Sequence, residues 1–461
     1  MTGWTLRELA EATGGRLLND RPDVIARDVA IDSRRLEPGS AFVAIRGARF
    51  DGHAFLAEAA DRGAVCAVVS QDPAAPLGIP SIRVPDTTQA LQRLARFHRR
   101  RMGIPVIAVT GSCGKTTTKE LIAHLAGDPD TILKTAGTQN NHIGVPLTLL
   151  RMGPAHRLAV VELGSNHPGE IAALARIAEP DMAVVTNVGP VHLEYFGSLL
   201  GVLHEKLSLL EAVAPRGAAV LPGDQLDVCL EASKRLIPDT RVVTFGTTDR
   251  CDIQATDIQR SAAGMLMRLR DQLTQWSVPL VGYHNVENAL AAVAAVWAVG
   301  VPLSMAKARL ATFEPMPLRS EVVRCDGLTI LNDCYNANPL SFARALETLR
   351  DMSVRRKVAI VGDMLELGEY TMPAHRAIGR LATQLGIDAI LAVGQFAHEV
   401  AHGALEGGAG GVTTYRTVPE LLAVLPGLLQ QGDGLLVKGS RKLNLERVTD
   451  FLVAHYRGAH A

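Results

Sequence analysis

The stretch that most constrains this chain is Val106 to Thr118, VIAVTGSCGKTTT, where a short apolar run breaks into glycines and then into Gly114-Lys115-Thr116-Thr117. Val106 to Val109 reads as a buried strand and Lys119 to Ala126, KELIAHLA, as a helix, with a glycine loop between them. Strand, glycine loop and helix in that order aim several backbone N–H groups and a helix N-terminus at one anion, so the loop suits a polyphosphate. In such a loop Lys115 reaches the β and γ phosphates, and the Thr116 hydroxyl is placed to ligate Mg²⁺. The common phosphate-loop pattern has glycine where Val109 stands; here the nearer Gly111 replaces it, in the narrower form T-G-S-x-G-K-T-T.

With 461 residues the chain is long enough for about three domains, each with its own core. Lys plus Arg equals Asp plus Glu at 47 each, and with six tyrosines and three tryptophans there is neither a basic field nor a stacking platform, which argues against a nucleic-acid partner. The six cysteines, Cys66, Cys113, Cys229, Cys251, Cys325 and Cys334, form no Cys-x-x-Cys pair and fit reduced thiols in a cytoplasmic protein. The N-terminal MTGWTLRELAEATGG carries both charges and no apolar centre, so it does not read as a signal peptide. Ala289 to Val299 is the most apolar run; it is too short to span a bilayer and reads as a buried helix, so no membrane insertion is expected.

The expected fold class is α/β in three domains. Residues 1–102 mix short helices (Leu6 to Ala12, Ala54 to Arg62, Thr87 to Arg100) with strands (Ala41 to Ile45, Ala64 to Val69, Ser81 to Val84), a small α/β N-terminal domain. Within it Asp32-Ser33-Arg34 and Asp51-Gly52-His53 sit at strand ends, where a turn and a cap explain them almost as well as a ligand. The basic run His98 to Arg101 reads as a favourable charge cluster at a helix C-terminus. Residues 103–317 alternate strands and helices, a central phosphate-loop ATPase-type parallel sheet. Residues 318–461 repeat strand and helix, with helices beginning near Pro339, Pro373, Ala397, Pro419 and Asn444, a C-terminal Rossmann-like sheet.

Ligands gather at the carboxyl ends of parallel strands, so the residues there are the candidates. Glu162 ends an apolar run and is either a Mg²⁺ ligand opposite Thr116 or a cap on the helix near Pro168. His192 is either a second metal ligand or a polar cap on its loop. Lys206, in GVLHEKLSLL, reads from its own surroundings as an ordinary solvated helix lysine. Tyr283, His284, Asn285 and Asn288 head an otherwise apolar helix, where they can read the edge of a base such as adenine; an Asn285 cap explains one of them. In the third unit NDCYNANP (332–339), GDMLELG (362–368) and KGSR (438–441) form a polar rim at one sheet edge.

Together TGSCGKTTTKE, TAGTQNNHIGVPLTLL, VELGSNHPGEI, NVGPVHLEYFGS, GYHNVENALAA, NDCYNANPLSF, VGDMLELG and VKGSR resemble the Mur ligases over nearly the whole chain. Within that family NDxYNANPxS resembles the members that join D-alanyl-D-alanine to UDP-N-acetylmuramoyl-tripeptide. The resemblance implies an ATP-dependent ligase of cytoplasmic peptidoglycan precursor synthesis that forms its amide through an acyl phosphate, with ATP and two Mg²⁺ ions. It implies ATP contacts at Thr110, Gly111, Ser112, Cys113, Gly114, Lys115, Thr116, Thr117, Asn285, Asn288, Arg319 and Asp333, and UDP-substrate contacts at Ser33, Arg34, Asn140 and Asn141. Asn336 and Asn338 would face the dipeptide, and Thr116, Glu162 and His192 would hold metal. Lys206 matches a lysine that the family can carbamylate into a metal ligand, which reverses the bland reading of it; Lys115, Lys206, His192 and Asn336 are then the catalytic set. The third domain is expected to close over the second, bringing Asn336 to the reaction centre, and a monomer is expected because three domains around one cleft suffice. The rivals are a sister ligase with another amine donor and a nucleotide-driven switch.

Overall fold

The computed structural model describes residues 3–19, 21–47, 50–73 and 76–458; the outer ends of the first and third expected domains, and of the N-terminal stretch read as no signal, lie outside the described residues. Nine strands form the central sheet, in the order Gln275–Val278, Gly264–Leu269, Ile253–Ser261, Arg241–Gly246, Ala218–Pro222, Met182–Val185, Val106–Thr110, Leu158–Glu162, Ile132–Lys134. Pairing is parallel from Ile132–Lys134 across to Ile253–Ser261, and antiparallel only in the hairpins that follow. Those hairpins break the expected alternation of strand and helix. Ile253–Ser261 has one solvated face and so reads as polar in sequence.

Register is what builds the site. Val106–Thr110 is buried at every position, as a parallel strand covered on both faces must be. Its Val109 lies opposite Glu162, and its Thr110 opposite Val185. The loops after all three strands therefore leave the same sheet edge side by side. The following helix is Lys115–Ala126, four residues earlier than its sequence suggested, so Lys115 and Thr116 occupy its first turn. Tyr283–Ala298 is the expected buried helix and packs in one core with Ile107, Val109 and Leu121.

The first residues form a five-stranded sheet, Arg16–Leu17, Ser81–Arg83, Cys66–Val69, Ser40–Val43, Asp28–Ala30, beside a two-stranded ribbon of Trp4–Thr5 and Ile25–Ala26. Its apolar core runs without a break from Trp4 through helix Thr87–Met102 into the central unit as far as Ala232. The last unit has six strands, Glu321–Cys325, Leu328–Asn332, Asp433–Lys438, Arg356–Gly362, Ala389–Val393, Val412–Tyr415, all parallel after the first pair. Two cores of its own flank that sheet. Among the described residues no helix is long and apolar enough to cross a membrane.

Candidate active site

A cavity of about 850 Å³ opens between the central and C-terminal units, with the glycine loop on one wall and the 333–338 loop on the other. Ser112 to Thr117 line it, whereas Thr110 and Gly111 lie beneath; the Thr110 hydroxyl donates to the Leu163 carbonyl at 3.0 Å. Gly111 has φ 145°, and a Cβ there would sit 2.0 Å from Thr186 Oγ1. That close approach requires glycine at 111, whereas Val109 is a fully buried strand residue. Asn187 then fixes the loop: its carbonyl accepts from Ser112 N–H and its side-chain oxygen from Cys113 N–H, both at 3.0 Å.

The first backbone bond of the following helix runs from Thr118 N–H to the Gly114 carbonyl at 2.8 Å, which leaves the amides of Lys115, Thr116 and Thr117 for an anion. Lys115 Nζ is folded back on the Gly111 carbonyl at 2.7 Å, and burial pushes its ammonium below the usual lysine range. A partly buried cation on a cavity wall, held only by loop carbonyls, favours a phosphate.

Glu162 is buried at 1% exposure; Oε1 accepts from Asn140 Nδ2 at 2.8 Å, and Oε2 is buried without any partner. It does not cap the next helix. The Glu205 carboxylate does that, accepting from Gly169 N–H at 2.7 Å and Ile171 N–H at 2.8 Å. An orphaned carboxylate oxygen beside a buried threonine and a phosphate loop fits a hard divalent cation. Among the described residues no three His, Cys, Asp or Glu converge on one point, so the set that fits is mixed. His192 stands at the head of the short helix Leu193–Phe196 in left-handed backbone, φ 48°, and its ring makes no cap bond.

Lys206 is not solvated, as its local sequence suggested, but 1% exposed: Nζ donates to Ser165 Oγ at 2.7 Å over the Phe196 ring, behind the cavity wall that Ser165 lines. Burial first, and the Lys115 charge second, push its ammonium down to about 7. An amine at that pKa is about half neutral near pH 7, and the neutral form is nucleophilic.

On the nucleotide side, Asn288 lies against the loop, so close that a Cβ on Gly114 would meet its Oδ1 at 2.1 Å, and its amide donates to Asn285 Oδ1 at 2.9 Å. Asn285 Nδ2 donates back to the Val281 carbonyl at 2.8 Å, and Gly282 is the cap position, so the side-chain cap considered for Asn285 is absent. His284 Nε2 lies 3.3 Å from Ser320 Oγ, and burial pushes its imidazolium down to about 4. Across the cavity, Arg319 stacks on Tyr335 at 4.1 Å from the ring centre, and Asp333 accepts from Ser320 N–H at 2.9 Å.

Lys438, on the expected rim but not singled out, is 2% exposed and donates to Asp333 Oδ2 at 2.6 Å and to the Asn336 carbonyl at 3.1 Å. It ties down the loop that carries Asn336 and Asn338. Its position at the end of an apolar strand was the available signal. Asn338 accepts from Ser341 N–H as the cap of helix Pro339–Asp351 and from Cys113 Sγ at 3.4 Å. The C-terminal unit is thus docked on the central one, Tyr335 bonding Thr138 as well.

Asn140 and Asn141 line the cavity, but Asn141 Oδ1 also caps helix Gly144–Leu150 through Gly144 N–H at 2.9 Å. Ser33 and Arg34 are not brought to the cavity: Asp32 caps their turn and pairs with the exposed Arg34 guanidinium at 2.8 Å. Asp51 likewise caps its turn and holds His53 Nδ1 at 2.6 Å.

Comparison with known proteins adds three findings. Family descriptions match the chain in succession: "Mur ligase family, catalytic domain" over residues 27–99, "Mur ligase middle domain" over 109–296 and "Mur ligase, glutamate ligase domain" over 318–441. The chain is 37% identical to the UDP-N-acetylmuramoyl-tripeptide–D-alanyl-D-alanine ligase of Escherichia coli (strain K12), covering 97% of this chain and 98% of that protein. It is similar in structure to MurF from Acinetobacter baumannii, TM-score 0.90 at 32% identity over 98% and 99% of the two chains, and to MurF ligase from Thermotoga maritima in complex with ADP, TM-score 0.84 at 27% identity over 95% and 100%.

Proposed function

The chain belongs to the Mur ligase family, and from that premise we propose that it joins D-alanyl-D-alanine to UDP-N-acetylmuramoyl-tripeptide, converting ATP to ADP and phosphate, in cytoplasmic peptidoglycan precursor synthesis. One observation carries this reading: a single cavity sets a phosphate loop and the orphaned Glu162 oxygen against the Asn336–Asn338 loop of the opposite unit.

The chemistry follows from carboxylate reactivity. A free carboxylate is a poor acyl donor because oxide would have to leave. Its oxygen therefore attacks the γ phosphorus of ATP and ADP departs, giving an acyl phosphate. The dipeptide amine, as the free base, then attacks the acyl carbon, and the tetrahedral intermediate expels phosphate to leave the amide. Lys115 and the free amides at the helix N-terminus stabilise the charge that develops on the transferring group. Thr116, Glu162 and His192 would hold Mg²⁺, as two ions, joined by Lys206 once carbamylated; metal bound there would supply positive charge to neutralise the phosphates. The depressed Lys206 pKa supports carbamylation, because CO₂ adds to a neutral amine.

Residues 1–102 would hold the uridine end of the acceptor, with Ser33 and Arg34 near it; 103–317 would hold ATP, with Asn285 and Asn288 toward adenine; and 318–461 would supply Arg319 to phosphate, Asp333 to ribose, and Asn336 and Asn338 to the dipeptide. Opening and closing of the third unit would exclude water from the acyl phosphate, and a monomer suffices for all of this.

The test is phosphate release from ATP and Mg²⁺ with UDP-N-acetylmuramoyl-tripeptide, comparing D-alanyl-D-alanine with single amino acids. Release with the dipeptide alone, with a new amide by mass spectrometry, is the expected result. Release with a single amino acid would move the enzyme to a sister step, and release without any acceptor would mark a switch.

A further inference from the structure

His192 and Glu366 face each other across the boundary between the central and C-terminal units, with Nδ1 2.9 Å from Glu366 Oε2. Both residues sit in left-handed backbone, φ 48° and φ 64°, a conformation that costs a non-glycine residue free energy and persists where surrounding contacts impose it. The contacts are there. Gly368, φ 55°, packs so closely on Glu194 that a Cβ would meet its side chain at 2.9 Å, and Leu367 is buried at 1% exposure. Nδ1 is itself buried and makes no aligned hydrogen bond; the Glu366 carboxylate, at ion-pair distance, is the charged group that faces it.

From this pairing we propose that Glu366 is a positioning residue: reaching from the C-terminal unit, its carboxylate faces the Nδ1 side of the His192 ring and favours the proton there, which leaves Nε2 as the free lone pair. The inference rests on the reading of His192 as a cation-holding residue and adds what that reading lacks, a physical link between docking of the two units and completion of the site. A carboxylate behind a metal-binding imidazole orients the ring and raises its basicity, and its loss typically lowers metal affinity by 10- to 100-fold. Glu366 has side-chain exposure of 46% and His192 24%, which places the expected effect at the lower end, roughly tenfold.

The probe is Mn²⁺, titrated by electron paramagnetic resonance into the full chain with a non-hydrolysable ATP analogue, for wild type, Glu366→Ala, Glu366→Gln and His192→Ala. Glu366→Ala is expected to weaken one class of Mn²⁺ site about tenfold, to raise the Mg²⁺ concentration needed for half-maximal rate, and to recover its kcat at high Mg²⁺, with an unchanged melting temperature. Glu366→Gln, which keeps an oxygen acceptor facing Nδ1, is expected to stay within about threefold of wild type. Wild-type Mn²⁺ affinity in Glu366→Ala overturns the proposal. A loss that high Mg²⁺ does not rescue, accompanied by an expanded radius of gyration in small-angle scattering, also overturns it, since Glu366 would then be a latch. If His192→Ala itself leaves Mn²⁺ binding untouched, the reading of His192 fails before the role of Glu366 is reached.

Discussion

The central unit meets its two neighbours in opposite ways. Toward the N-terminal unit the apolar core is continuous, and helix Thr87–Met102 bolts the joint: Arg99, 8% exposed, donates to the Ala178 and Glu179 carbonyls and to Asp181 at 2.8 Å, while Arg96 and Arg100 converge on Glu179 and His98 holds the Met152 carbonyl. Toward the C-terminal unit the cores are separate, and the contacts are polar pairs around a cavity: Thr138 with Tyr335, Cys113 with Asn338, His192 with Glu366, Glu287 with Arg344. Apolar contact there is small, chiefly Val281 on the C-terminal core and Leu340 against Gly189. The cations differ in part in the same sense. Arg99 has a carboxylate, and so does Lys438 on the C-terminal wall of the cavity, whereas Lys115 and Lys206 on its central wall have only carbonyls and a hydroxyl. The joint that must hold is satisfied within the protein; the central wall of the one that admits substrates is left with unmatched charge.

The largest effect is expected where the joint is fixed. Arg99→Ala removes a buried guanidinium and takes its donors from the Ala178 and Glu179 carbonyls, while Asp181, half exposed, keeps Val106 N–H; the cost is about 1–3 kcal/mol. Leu94→Ala on the same helix, fully buried, costs a similar ~2–4 kcal/mol by leaving a cavity. In denaturant both should shift one cooperative transition that includes the N-terminal and central units. A separate early transition of the N-terminal unit alone would show that the continuous core does not make them one body.

The sequence announced the second face far better than the first. Strand, glycine loop and helix are local, and so are the prolines that open helices: the starts expected near Pro339, Pro373 and Pro419 fall at Pro339, Thr371 and Val418. The bolt was read as a charge cluster at a helix end because the partners of Arg99 lie some eighty residues away, and no periodicity encodes that. Separations of 41, 22 and 36 residues likewise hid the burial of Lys206, the Asn140–Glu162 bond and the cap that Glu205 gives to a helix in another segment. Asn141 is different. An asparagine three residues before Gly144 is a local signal for this bond, so the dual position of Asn141 is legible in the sequence.

Lys206 sharpens the contrast through pH. Its folded pKa of about 7 lies below the unfolded value of roughly 10.4, so between them the unfolded chain binds a proton that the folded one lacks. Stability contributed by this group therefore rises with pH across that window, and below about pH 7 the cost of burying the charge is felt in full. Relative to Lys206→Met, the wild type should gain about 2 kcal/mol between roughly pH 7 and pH 8.5 in CO₂-free buffer. Parallel curves for the two proteins would mean that Lys206 is matched by an anion after all.

Tyr335→Phe should have the smallest effect on stability and tests the polar joint directly. It deletes the bond to Thr138 while keeping the ring on which Arg319 stacks at 4.1 Å, so that only one hydroxyl changes. A partly buried hydrogen bond contributes about 1 kcal/mol, and the freed Thr138 hydroxyl lines the open cavity, so the melting temperature should move little. The docked state of the C-terminal unit, resting on few contacts, should feel the loss more: kcat/KM is expected to fall about threefold to fivefold, mostly through KM for ATP and dipeptide. If instead Tyr335→Phe lowered stability as much as Arg99→Ala does, the C-terminal joint would be as fixed as the N-terminal one. The unmatched charges around the cavity would then need an explanation other than access for substrates.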